Sequence, residues 1–209
     1  MSVVRFRLSV VVFLLSGFLA ARAADTRTVV FFGDSLTAGL GLSDPGTQAY
    51  PAVLQEKIHA ANLDWRIVNA GLSGETSAGG LRRIDWVLRQ PIHLFVLALG
   101  GNDGLRGVSP DVTRQNLDQI LERVRAKNPT AKLVLAGMEM PPSMGADYMR
   151  AFQDIFPVVA GKHRATLVPF LLEGVGGDTR LNQPDQIHPT AEGHAVIAET
   201  LWKSLRPLL

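Results

Sequence analysis

Ser35 stands far from Asp185 and His188 in this 209-residue chain, and each of the three sits where its chemistry could be put to use. Ser35 closes a Gly33-Asp34-Ser35 turn that abruptly ends the apolar run TVVFF. A serine hydroxyl is a weak nucleophile and needs a base within hydrogen-bond reach. His188 lies in PDQIHPT with Asp185 three residues before it. A short turn can bring that carboxylate to the imidazole Nδ1–H, fixing the tautomer and stabilising the imidazolium while Nε2 takes the serine proton. Acyl transfer also needs donors for an oxyanion. GGND offers the side-chain NH₂ of Asn102, and SGET offers the backbone N–H of Gly74, where no side chain obstructs a substrate. Each residue has a structural alternative. Ser35 can be a turn or cap serine, and Asp185 can close an Asx-turn, with His188 held extended by Pro189. Asn102 can brace a turn, and Gly74 can merely supply a positive φ. The other four histidines, His59, His93, His163 and His194, lack a convergent partner in sequence and read as structural.

The elements that must position these residues are visible in the periodicity. Apolar runs at Thr28–Phe32, Arg66–Asn69, Leu94–Leu99, Lys132–Ala136 and Ala165–Val168 lack polar alternation, the pattern of strands buried on both faces. Between them lie helical segments: PAVLQEKIHAA, SAGGLRRIDWVLRQ, SPDVTRQNLDQILERVRAK and DYMRAFQDIFPVVAGKH, with TAEGHAVIAETLWKSL closing the chain. In the third, Val112, Leu117, Ile120, Leu121 and Val124 are expected on one face, with Ser109-Pro110 as cap and first turn. Repeated strand–helix units predict an α/β fold, a three-layer α/β/α sandwich with a five-stranded parallel sheet. Ligands of such sheets bind outside the carboxyl ends of the strands, so the loops after the strands converge, and those loops hold the candidates above.

The composition, 46% hydrophobic and 19% charged, is that of a globular domain. Residues 1–23 differ. Two arginines, an uncharged apolar stretch and Ala21-Arg22-Ala23 make the tripartite layout of a secretory signal peptide, with one domain expected over 24–209. Removing Arg5, Arg7 and Arg22 from the 21 basic residues leaves 18 against 19 acidic ones, a formal −1 in place of +2. No basic excess then suggests nucleic acid or an anionic membrane surface. A periplasmic or secreted protein without a stable membrane anchor is expected. The absence of cysteine excludes disulfides, thiolate metal sites and lipid anchoring through cysteine. No P-loop, GxGxxG turn or HExxH is present, and no metal or cofactor is expected.

GDSLTAG, SGETSAGG, GGNDGLRG and DQIHP, in this order, resemble the four signature blocks of the GDSL, or SGNH, hydrolase superfamily. The likeness is to its bacterial periplasmic branch of thioesterase I, arylesterase and lysophospholipase enzymes, and it spans essentially the whole chain past residue 23. It includes SMGADYMRAFQDIFP, which is similar to a Gly-x-x-Tyr stretch of that branch. The resemblance implies a flavodoxin-like SGNH hydrolase fold and hydrolysis of esters or thioesters, and nothing in the sequence demands more than a monomer. It implies Ser35 as nucleophile, His188 as base and Asp185 as its orienting carboxylate. The backbone N–H of Ser35, Gly74 and the Asn102 side chain become oxyanion donors. Gly74 fits better than Gly71 because it directly precedes an acidic residue and a threonine.

Apolar loops suit an acyl chain. After the fourth strand come Met138, Met140, Pro141, Pro142 and Met144, and after the fifth Phe170, Leu171 and Leu172. Met140, Pro141, Met144, Tyr148 and Leu171 are taken as substrate contacts. Aryl esters, acyl-CoA thioesters and lysophospholipids are the expected substrates. A carbohydrate O-acetylesterase, or a catalytically dead lipid- or sugar-binding module, is the competing reading on the same scaffold.

Overall fold

The computed structural model describes residues 26–209, so the expected signal segment lies outside the described residues. In chain order the elements are β1 (Arg27–Gly33), α1 (Ser35–Ala38), α2 (Pro45–Gln48), α3 (Tyr50–Ala60), β2 (Trp65–Gly71), α4 (Ser77–Val87) and β3 (Leu94–Ala98). They continue with α5 (Gly101–Leu105), α6 (Pro110–Lys127), β4 (Lys132–Ala136), α7 (Ala146–Gln153), α8 (Ile155–His163), β5 (Thr166–Val168) and α9 (Ala191–Leu205). The five strands form one parallel sheet in the order β2-β1-β3-β4-β5. Helices α3 and α9 pack together on one face, and α4, α6 and α8 on the other.

That order matters for function. From β1 the chain crosses outward to β2, then returns past β1 to β3. The connections run over opposite faces, so the loops after β1 and β3 part and leave a crevice between them. The strand ends are level there: Gly33 pairs with both Gly71 and Ala98.

Valine, leucine and phenylalanine runs make β1, β3 and β4 the buried centre, with Phe31, Phe32 and Phe95 fully enclosed. Burying each such side chain is worth about 1.5–3 kcal/mol. Burial on both faces fails for β2, an edge strand whose Arg66 and Asn69 face solvent. Val112 is also misplaced by the sequence reading. It is 45% exposed, and Thr113, one position on, takes the inward place beside Leu117, Ile120, Leu121 and Val124. Ser109 stands at the cap of α6, but its side chain makes no capping bond. The expected helix from Asp147 to His163 is two, divided at Asp154. Pro157 explains the break: it cannot donate to an earlier turn and clashes with the carbonyl four residues back, but it fits the first turn of a new helix. Among the described residues no helix is long and apolar enough to cross a membrane.

Two internal polar contacts tie the helical layer of α3 and α9 to the sheet's carboxyl end. The buried His194 on α9 accepts the Tyr50 backbone N–H at Nδ1, 3.2 Å away, and stacks on the Tyr50 ring. The Tyr50 hydroxyl lies 2.6 Å from Thr37 Oγ1 in α1. Burial holds the His194 imidazole neutral, drawing its pKa down from 6.5 to about 4. The unfolded chain therefore binds this proton more readily than the folded one. The stability due to His194 is complete above its unfolded pKa and drains away as pH falls toward about 4, by about 3 kcal/mol in all. His194→Gln, which keeps an acceptor, is expected to lose less stability than wild type between about pH 7 and about pH 4.5 in urea titrations. Parallel pH profiles for the two proteins would contradict this.

Candidate active site

The turn after β1 is built by close approach. A Cβ on Gly33 would lie 2.0 Å from Thr37 Oγ1 and 2.8 Å from the Ala98 carbonyl, so only glycine lets α1 start against the strand end. Gly71 is constrained from the other side, because a Cβ there would come within 2.4 Å of the Ala38 nitrogen. Asp34 caps α1, its Oδ1 accepting the Leu36 N–H at 3.0 Å. Ser35 is thereby set at the first position of the helix, where backbone N–H groups have no intrahelical acceptor. Asp34 is only 3% exposed, and burial pushes its carboxyl up to about 6.

Three of the candidate side chains meet in a line. Ser35 Oγ lies 2.9 Å from His188 Nε2, and His188 Nδ1 lies 2.6 Å from Asp185 Oδ2. Asp185 also accepts the backbone N–H groups of Ile187 and His188 at Oδ1, both at 3.0 Å. The Asx-turn and the imidazole contact, alternatives in the sequence, are thus both made by one carboxylate. The turn requires Gln186 at φ 58°, a left-handed conformation. The hydrogen bond from His188 draws the Asp185 carboxyl down to about 2, so it is ionised at neutral pH. Nδ1–H donates to that anion, and Nε2 presents its lone pair to the serine.

Gln183, which nothing in its polar surroundings singles out, fixes this loop. Its backbone N–H donates to the His188 carbonyl at 2.7 Å, and its side-chain amide donates to the carbonyls of Leu40 and Pro189. The histidine loop is so tied to the segment that follows α1. The remaining four histidines make structural contacts. His93 accepts the Thr28 N–H, His163 bonds Asp118, His194 accepts from Tyr50, and His59 is exposed beside Gln55.

Asn102 enters from the third strand's loop. Its Nδ2 donates to the Glu75 carbonyl at 3.0 Å and lies 3.4 Å from Asp34 Oδ2. Its neighbour Asp103, 1% exposed, accepts the Ser77 N–H at 2.7 Å and the Ser77 hydroxyl at 2.5 Å. α5, which directly follows β3, is so clamped to the start of α4. The loop after β2 has its own clamp. Arg83 donates through Nε to Glu75, reaches the Ala70 carbonyl at 2.7 Å, and lies over the Phe32 ring. Gly74 precedes Glu75 at φ 77°, exposed, its carbonyl accepting from Arg106. The Asp103–Ser77 and Arg106–Gly74 contacts are not legible in sequence, since each joins residues that come together only through the sheet.

A cavity of about 480 Å³ opens beside the serine. Ser35, Asn102 and His188 line it with Asp34. Its walls are largely apolar: Met138, Met140, Pro141, Phe170, Leu172 and Ile187. Of the expected substrate contacts, Met140 and Pro141 line the cavity, and Met144, Tyr148 and Leu171 do not. Leu171 is 1% exposed and turned into the core, leaving its neighbours Phe170 and Leu172 on the wall. The Tyr148 hydroxyl donates to the Val108 carbonyl at 2.7 Å and its ring stacks on Phe152, so it braces the entry to α6. Met144 packs against the core. Glu139 and Ile187 line the cavity without having been anticipated. Gly74 is not among the lining residues. Among the described residues one group, Asp118, Glu122 and His163, has metal-ligand spacing, and the Lys162 ammonium already bridges its two carboxylates.

Residues 31–196 match the model of the GDSL-like Lipase/Acylhydrolase family. The chain is 42% identical over 201 residues to Esterase TesA of Pseudomonas aeruginosa, covering 94% of this chain and 98% of that one. It is 39% identical over 198 residues to Thioesterase 1/protease 1/lysophospholipase L1 of Escherichia coli, covering 94% and 92%. The crystal structure of TesA superposes with a TM-score of 0.83 at 42% identity, covering 88% of this chain and all of that one.

The Asp103 clamp carries a stability prediction. Asp103→Ala leaves the Ser77 N–H and hydroxyl without their acceptor in a buried site, at an expected cost of about 3 kcal/mol. The urea midpoint should fall with an unchanged m-value. A variant that unfolds at the wild-type urea concentration would show the clamp to be dispensable.

Proposed function

The chain belongs to the GDSL-like lipase/acylhydrolase family, and we propose that it is a serine esterase and thioesterase working through an acyl-enzyme on Ser35. The observation that carries this reading is the Ser35–His188–Asp185 line, with contacts of 2.9 and 2.6 Å, whose Ser35 and His188 open onto a largely apolar cavity.

Ser35 Oγ attacks the carbonyl carbon of the bound ester or thioester while its proton passes to His188 Nε2. Asp185, held ionised, stabilises the imidazolium and keeps Nδ1 protonated. The carbonyl oxygen becomes an oxyanion, received by the backbone N–H of Ser35, the N–H of Gly74 and the Asn102 amide. Collapse breaks the bond to the alcohol or thiol, which leaves with the proton from His188. Water then repeats the attack on the acyl-enzyme, its proton going to His188 Nε2, which passes it to Ser35 Oγ as the Oγ–acyl bond breaks and the carboxylic acid leaves.

The acyl chain would lie between Met138, Met140 and Pro141 on one side and Phe170 and Leu172 on the other. Aryl esters, acyl-CoA thioesters and lysophospholipids fit this reading, which accords with the names of its relatives. The arginine-flanked apolar stretch and Ala21-Arg22-Ala23 support export to the periplasm or beyond, free of the membrane once that segment is removed.

Two measurements test the reading. Against p-nitrophenyl esters from acetyl to palmitoyl and an acyl-CoA series, Ser35→Ala should lose about 10⁴-fold or more in kcat. Retention of wild-type turnover would remove Ser35 from the chemistry, and inactivity of wild type on every substrate would favour a binding module. Leu172→Trp narrows the cavity, so kcat/KM should fall about tenfold or more on long acyl chains and little on acetyl. Equal losses at every chain length would place the acyl group elsewhere.

A further inference from the structure

Asp34 lies beside the reacting atoms, and the acyl-transfer steps above give it no role. It is buried, it lines the cavity, and both its oxygens are engaged. Oδ1 holds the cap of α1 through the Leu36 N–H. Oδ2 faces Asn102 Nδ2 across 3.4 Å.

The Asn102 amide has two hydrogens on one planar nitrogen. One is committed to the Glu75 carbonyl at 3.0 Å. That contact fixes the plane of the amide, and hence the direction of the second hydrogen. The second is the one that must serve an oxyanion, and in the resting protein it is directed toward Asp34. At 3.4 Å this contact is longer than the usual 2.7–3.2 Å range for N–H···O bonds. It aims the donor without saturating it. A half-buried amide N–H at the cavity wall with no acceptor would instead turn away or draw in water.

We propose that Asp34 is a positioning residue, which holds the second N–H of Asn102 in readiness and yields it to the oxyanion as that charge forms. The proposal rests on the reading of Asn102 as an oxyanion donor. It gives the residue before the nucleophile two separable tasks, one for each carboxylate oxygen: capping the helix that bears Ser35, and orienting a donor from the loop after β3.

The two tasks separate in Asp34→Asn. Asparagine caps helices as well as aspartate does. It has one acceptor oxygen, so with that oxygen on Leu36 its NH₂ opposes the NH₂ of Asn102. The test is a double-mutant cycle in the purified protein, with kcat and KM on one p-nitrophenyl ester for wild type, Asp34→Asn, Asn102→Ala and the pair. Asn102→Ala should lower kcat about 100-fold or more. Asp34→Asn should lower kcat about tenfold with KM little changed, and less than about twofold further when Asn102 is already alanine. A full tenfold loss in both backgrounds would overturn the proposal, because Asp34 would then act through the cap or through His188. Unchanged kcat in Asp34→Asn would overturn it too. If Asn102→Ala keeps wild-type activity, the oxyanion role of Asn102 falls first and the proposal with it. Asp34→Ser, which retains a capping oxygen and removes the group opposite Asn102, runs the same cycle if the asparagine variant folds poorly.

Discussion

The space available at the carboxyl end of β1 governs this structure. Gly33 ends the strand where Thr37 and the Ala98 carbonyl leave no room for a Cβ, and Gly71 meets the Ala38 backbone in the same way. Only with both glycines can α1 begin one residue after the strand, with its serine at the helix start and the crevice of the sheet in front of it. The strand order supplies the crevice, since the chain reverses direction about β1. Packing at the strand end and topology thus converge on one point. A larger residue at position 33 would move α1, and with it both Ser35 and the carboxylate that caps it.

What holds the other loops to that point is a set of buried and half-buried polar groups, each hydrogen-bonded. Asp103 clamps α5 to α4, Arg83 clamps the loop after β2 to the ends of β1 and β2, and Gln183 ties the histidine loop to the segment after α1. In a low-dielectric interior such groups are costly unless paired, and paired they specify a single arrangement. The cavity walls are largely apolar, and the polar side chains at the serine, Asp34, Asn102 and His188, each have a definite partner. The Asp185 carboxylate illustrates the economy of the design. One oxygen shapes its own turn and the other meets the imidazole, so the fold of the loop and the orientation of the ring are a single event.

Much of this is legible in the sequence because it is local. Apolar runs without alternation mark β1, β3 and β4, and helical spacing marks α6 and α9. The residues singled out for their chemistry lie in short motifs whose flanking glycines and prolines show turns. What is not legible depends on neighbours distant in the chain. β2 reads like the central strands, but its place at the sheet edge is a matter of topology, and Val112 differs from Thr113 only in which way one helix is rotated. Leu171 and Leu172 are identical in type, and the path of the loop alone decides which faces the cavity. Tyr148 belongs to a motif-like segment, but its hydroxyl is spent on the Val108 carbonyl. Carboxylate and amide clamps such as Asp103–Ser77 and Gln183–Leu40 join segments whose proximity only the folded sheet creates.

The central claim is that Ser35 is a nucleophile made reactive by His188. The most direct measurement is labelling by a p-nitrophenyl alkylphosphonate, whose tetrahedral phosphorus mimics the acyl-transfer intermediate, followed by intact and peptide mass spectrometry. The account predicts one adduct per chain, on the peptide bearing Ser35, with labelling slowed by about 10³-fold or more in His188→Gln. An adduct on another residue, or equal labelling rates with and without the histidine, would contradict it.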